Sequence, residues 1–312
     1  MLIPPPPAAP YHRLARTPAH RWWRPILGIG FIVVGGLALG LACLLTATVA
    51  AVIAGRPEAA DGVPTFGALA DLALTFVTVA VLLPVTLLAA RWIQRRPAGS
   101  LSSVTGALRW RWLATCLPVA AGAVVVFLVV GMGLAAATGE DTGLGETLAG
   151  WGPFALSMLV LLVVVPPQAA AEEYVCRGFL LQGAGVWFRG PWVPIAVQAV
   201  VFAALHGWGT PWGFADLLLF GGVAGWLTVR TGGIEAAVAL HVMTNLIGFA
   251  LSAAYGDLST EQTATDMPWQ LAVVDVPVLL GYAAVILRLA RRRDLVTRTP
   301  APAEPRVLVP AG

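Results

Sequence analysis

The chain has 312 residues, 58% of them hydrophobic and only 11% charged, with a formal net charge of +3. Soluble domains carry about a quarter charged residues, so this composition excludes an ordinary soluble domain and indicates an all-α, polytopic membrane helix bundle. The small basic excess lies in loops and tails, which excludes nucleic acid as a partner and leaves the lipid bilayer.

Residues 1–25 combine Pro4 to Pro7 with Arg13, Arg16, Arg21 and Arg24. This composition predicts a disordered cytoplasmic arm. The apolar run behind it, about 26–55, is too long for a signal-peptide core and reads as a retained span. Further spans follow at about 66–90, 112–138, 153–188, 191–207, 211–230, 233–254 and 269–290, making eight in all. Each is judged against the ~20 residues needed to cross a bilayer. The fourth is long for one straight helix, and Pro166-Pro167 is expected to break or kink it, with a second half starting close to Glu172. The domain reading is therefore an arm at 1–25, an eight-helix transmembrane domain at 26–290 and a cytoplasmic tail at 291–312.

Loop charges alternate in step with this count. Basic clusters include Arg91, Arg95, Arg96, Arg109 and Arg111, and later Arg288, Arg291, Arg292 and Arg293. The opposite loops carry Glu58 and Asp61, then Glu140, Asp141 and Glu146, then Asp257, Glu261 and Asp266. The positive-inside rule puts both termini in the cytoplasm. All 19 basic residues are Arg, and with the Ala and Pro richness this suggests a bacterial plasma membrane protein. Cys43, Cys116 and Cys176 have no pairing or metal spacing and read as small buried hydrophobes.

Ionisable groups inside spans are costly, so they face a cavity, a partner or a reaction. Three motifs carry them: Glu172-Glu173-x-x-x-Arg177, Phe202-x-x-x-His206 and His241-x-x-x-Asn245. Adjacent glutamates point about 100° apart on a helix and so take different roles. Arg177 shares a face with Glu173, in the favourable Glu-before-Arg order, and is expected to neutralise it. Glu172 is then free to act as a general base on water, with His206 beside it. His241 and Asn245 share a helix face and could hold a developing oxyanion. Other polar residues receive structural readings. Gln168 and Gln198 join helices, Asp71, Asp216 and Asp275 lie near outer span ends close to water, and Glu235 sits at a helix start. Gly221, Gly222 and Gly225 offer a close-packing face.

At these residues the chain resembles the CPBP family, the CAAX proteases and bacteriocin-processing enzymes also called the ABI family. The resemblance covers roughly 150–250, the expected protease core, and all motif positions match. It implies an eight-helix intramembrane endopeptidase similar to the type II CAAX prenyl endopeptidases, acting on a peptide or membrane-protein substrate. By that likeness Glu172 and His206 activate water, His241 and Asn245 form the oxyanion hole, and Glu173, Arg177 and Phe202 support them. The resemblance favours a metal-free glutamate mechanism, and although there is no His-Glu-x-x-His, residues from three helices could still hold zinc. Were zinc the cofactor, Glu172, His206 and His241 would be its ligands. Two other classes remain open on the residues alone: a proton-coupled transporter using the same groups as a relay, and a catalytically silent self-immunity or scaffold protein of this fold.

Overall fold

The computed structural model describes residues 1–59, 62–140, 147–258 and 264–301. Asp61, Asp141, Glu146 and Glu261 of the acidic-loop reading lie outside these residues. Among the described residues the chain is helical, and extended pairing is limited to three isolated bridges. The helices are α1 (Trp23–Ile53), α2 (Ala68–Ala80), α3 (Leu82–Leu88), α4 (Trp110–Ala137), α5 (Trp151–Glu173), α6 (Leu181–Ala184), α7 (Trp192–Leu205), α8 (Pro211–Thr231), α9 (Glu235–Tyr255) and α10 (Trp269–Arg292). π-helical turns at Ala89–Ile93 and Tyr174–Leu180 extend α3 and join α5 to α6. Seven continuous helical runs are long and apolar enough to cross a membrane, and α7 is a shorter apolar helix. The protein is thus an all-α integral membrane bundle. At 1.5 Å per residue α7 rises only about 21 Å, less than the ~30 Å hydrocarbon layer.

Helices differ in how much of themselves they hide. In its most apolar stretch α8 is 56% buried, against 22% for α1. The reason lies in side-chain size. α1 turns Val34, Leu37 and Leu41 outward. α8 instead presents Gly221, where a Cβ would lie 2.9 Å from Ala199 Cα of α7. Small residues let backbones approach, and Gln198 Nε2 of α7 then donates across the seam to the Gly221 carbonyl at 2.7 Å. α9 lies inside the bundle, against α4, α5 and α8, while α10 covers α4 and α8.

Two expectations are corrected. Pro166 and Pro167 do not break the fourth span: α5 is helical through both, up to Glu173. The missing N–H groups forgo hydrogen bonds to the preceding turn, and the non-α geometry comes later, in the π-helical turn. Residues 1–25 are not an unpacked arm either. Tyr11 and Leu14 are fully buried, and the Tyr11 hydroxyl donates to the Leu101 carbonyl. Ala9 N donates to Thr299 Oγ1 at 2.8 Å, and Thr299 N returns a bond to Ala9 O at 3.1 Å. Gly185 makes room for the His12 carbonyl, where any Cβ would collide. The Pro and Arg content masks a short apolar patch, Tyr11-Leu14-Ala15, which has a seat on the bundle.

The same end of the bundle is clamped by two arginines, Arg96 fully buried and Arg109 partly so. Arg96 donates from Nε to Gln94 and from Nη1 to Ser100 and Gln182, each at 2.6 Å. Arg109 meets Glu235, the first residue of α9, through Nε at 2.8 Å, Nη2 at 2.7 Å and its own backbone N–H at 2.9 Å. Glu235 is therefore at a helix start, as its place in the sequence indicates, and has a guanidinium partner as well.

Candidate active site

Glu172 and Glu173 close α5, directly before the π-helical turn. Such turns recur at functional sites because they re-aim successive side chains. The two carboxylates indeed take different partners. Glu173 and Arg177 have fully buried side chains, with Arg177 Nη1 donating to Glu173 Oε1 at 2.9 Å. His241 Nδ1 reaches the same oxygen at 2.8 Å. Arg177 also lies over aromatic faces, its Cζ 4.2 Å from the Phe202 ring centre and 5.6 Å from that of Phe220. A guanidinium so placed gains about 2 kcal/mol when desolvated. The expected ion pair is present, and His241 is its third member.

Glu172 is bound on one oxygen and open on the other. Oε1 accepts from Gln168 Nε2 at 2.5 Å, and Gln168 Oε1 accepts from Asn245 Nδ2 at 3.0 Å. Oε2 is buried without a hydrogen-bond partner. It faces His241 Nε2 at 3.6 Å and His206 Nε2 at 3.8 Å. His206 occupies the C-cap of α7, not its interior, and its ring folds back so that Nδ1 lies 2.8 Å from the Phe202 carbonyl.

The partners of the two Nδ1 atoms determine what the Nε2 atoms present. A carbonyl and a carboxylate only accept, so each Nδ1 carries the hydrogen. In the neutral rings both Nε2 atoms are then bare lone pairs. Three acceptors, Glu172 Oε2 and the two Nε2 atoms, converge at separations too long for direct hydrogen bonds. Such a gap takes a species with protons to give, and water is one. A cavity of about 90 Å³, lined by His206, His241, Asn245, Phe202 and Phe220, opens beside them. It is large enough to admit water.

One carboxylate and two imidazoles are also a donor set that zinc takes. Their 3.6 and 3.8 Å spacings exceed the about 3.3 Å between ligand atoms of a tetrahedral zinc shell. Among the described residues no group of three or more His, Cys, Asp or Glu stands ready to hold a metal ion.

All seven residues singled out from the motifs therefore meet in one cluster drawn from α5 and its π-helical extension, α7 and α9. Gln168, read as interhelical glue, does join α5 to α9, and it also holds Glu172. Its place one turn before Glu172 was the available signal. Asp216 and Asp275 lie within two turns of the starts of α8 and α10, as expected, but they are buried and line the same cavity instead of meeting open water.

Fold and site define a polytopic helical membrane protein with a Glu–His–His–Asn cluster enclosed by its helices. Residues 151–247, which contain all three motifs, match the family model described as type II CAAX prenyl endopeptidase Rce1-like. The chain is also similar to uncharacterized protein YyaK of Bacillus subtilis (strain 168), with 27% identity over 276 residues, 83% of this chain and 88% of that protein. No solved structure matches it.

Proposed function

We propose that this chain is an intramembrane endopeptidase that hydrolyses peptide bonds of membrane-associated or peptide substrates without a metal ion. The observation that carries the reading is the unpartnered Glu172 Oε2 facing the Nε2 atoms of His206 and His241 beside a cavity. Water in that gap donates to Glu172 and His206, and Glu172 takes its proton as it attacks the scissile carbonyl. Proton transfer to a positioned base contributes about 10²–10⁴-fold. The tetrahedral oxyanion accepts from the Asn245 amide, which has a second N–H besides the one given to Gln168. It also accepts from Nε2–H of a protonated His241, whose positive charge the Glu173 carboxylate balances. A donor of this kind is worth about 10²–10³-fold. Glu172 then returns its proton to the leaving amine. Phe202 and Arg177 fix the height of Glu173 and, through it, the tilt of His241. The Rce1-like match supports this chemistry. The basic ends of the spans support termini on the cytoplasmic side of a bacterial plasma membrane.

The test is the purified chain in lipid nanodiscs with a randomised peptide library, read by mass spectrometry. Internal cleavage by the wild type that persists under chelator and vanishes in Glu172→Gln supports the reading. Unchanged turnover in Glu172→Gln overturns it, and chelator inactivation reversed by zinc overturns its metal-free form.

A further inference from the structure

The catalytic cavity has a second polar end. Asp216 of α8 and Asp275 of α10 line it together with His206, His241 and Asn245. They are 7% and 9% exposed, and their carboxyl groups lie in mutual contact. Asp216 Oδ1 is buried with no hydrogen-bond partner. The walls between the two ends are apolar, including Val124, Phe127, Leu240 and Leu279. Among the described lining residues none is an arginine, and His206 and His241 are the only basic groups.

Two carboxyl groups in contact repel once both ionise, unless a proton or a cation lies between them. Burying such a pair without a counter-ion is costly, and nothing in the packing of α8 on α10 requires it: two apolar residues would fill the seam. Arg177, the arginine of the catalytic cluster, is fully buried and committed to Glu173 and the two phenylalanines. The pair is therefore left to hold a proton between its carboxyls or to exchange it for a cationic guest.

We propose that Asp216 and Asp275 form a specificity subsite that takes the basic side chain, lysine or arginine, of the peptide being cut. The proposal rests on the endopeptidase reading and names part of its substrate class. The dimensions agree. At 1.5 Å per residue Asp216 lies about 22 Å from the C-terminal end of α8, and Asn245 about 15 Å from the start of α9 at the same end of the bundle. The pair thus sits about 7 Å beyond the catalytic amide, within reach of one long side chain. A cavity of about 90 Å³ is well below the ~300 Å³ or more of a small-molecule pocket, and it suits a single side chain whose methylene stem runs along apolar walls.

The experiment separates binding from cutting. The full chain bearing Glu172→Gln is held in nanodiscs and equilibrated with a randomised octapeptide library. Bound peptides are then eluted and sequenced by mass spectrometry. Enrichment of lysine and arginine at one position by about tenfold over norleucine, lost when Asp216→Asn or Asp275→Asn is added, supports the subsite. It does so whether or not the wild type cleaves any member. Equal binding of basic and neutral peptides overturns the subsite and leaves the protease reading to its own test. So does a basic preference that survives both Asn substitutions in proteins of unchanged thermal midpoint. In cleavage assays, the subsite predicts that Asp275→Asn raises KM for lysine-containing peptides by a larger factor than for norleucine peptides.

Discussion

Glu235 and Glu172 are both carboxylates set inside the helical bundle, and their surroundings are opposite. Glu235 receives the Arg109 Nε, Nη2 and backbone N–H, so both of its oxygens are occupied. Glu172 has one oxygen tied to Gln168 and the other facing two imidazoles that have no hydrogen to offer it in their neutral form. The first arrangement fixes the start of α9 against the loop before α4. The second leaves an acceptor that only an incoming group can complete. A saturated buried ion pair is structural, whereas a buried acid with one oxygen unmet is where chemistry enters.

Substitutions at the two acids should separate these roles. Glu172→Gln keeps size and the Gln168 contact while removing the base. It should lower turnover by about 10³-fold or more, with the thermal midpoint unmoved. Glu235→Gln should do the reverse. Breaking a buried pair costs about 3–5 kcal/mol, read as a loss of folded protein in a thermal or denaturant melt, with turnover per folded molecule retained. A Glu235 variant that folds normally but cannot cleave would blur the distinction.

Gln168→Leu sharpens the contrast from within the site. It strips Glu172 of its one hydrogen bond and Asn245 of its acceptor. A hydrogen bond to a charged group is worth about 1.5–3 kcal/mol, so turnover should fall about 10- to 100-fold. Stability should change less, because the Glu172 side chain is not fully buried.

The clamped end gives the weakest effects. Tyr11→Phe removes the hydroxyl that the Leu101 carbonyl accepts and should cost about 1 kcal/mol, with faster proteolytic nicking of residues 1–22 as the readout. Burial pushes the His12 imidazole below its ordinary value of 6.5. The released arm therefore binds more protons than the docked arm, and docking strengthens as pH rises. Nicking should accelerate as pH falls through about 6.5 and toward 5, and His12→Phe should flatten that dependence.

Much of this was legible in the chain. Helical class and the number of apolar helices follow from long Val, Leu and Ala runs, and the three motifs stand out because charge is so rare elsewhere. What escaped the sequence is tertiary in origin. Pro166-Pro167 reads as a break or kink, but α5 stays helical through both prolines. The π-helical turn that follows Glu173 is announced by no local pattern. The Pro/Arg arm reads as unpacked, because composition cannot show that Gly185 and Thr299, far along the chain, provide its seat. Asp216 and Asp275 read as close to water because their mutual contact depends on how α8 and α10 cross.

The most direct measurement is cleavage of membrane peptides in heavy-oxygen water by wild type and Glu172→Gln side by side. If the water beside Glu172 is the nucleophile, each fragment released by the wild type carries one solvent oxygen in its new carboxyl terminus, and the variant yields none of those fragments. Labelled fragments appearing at the same rate from Glu172→Gln would contradict it.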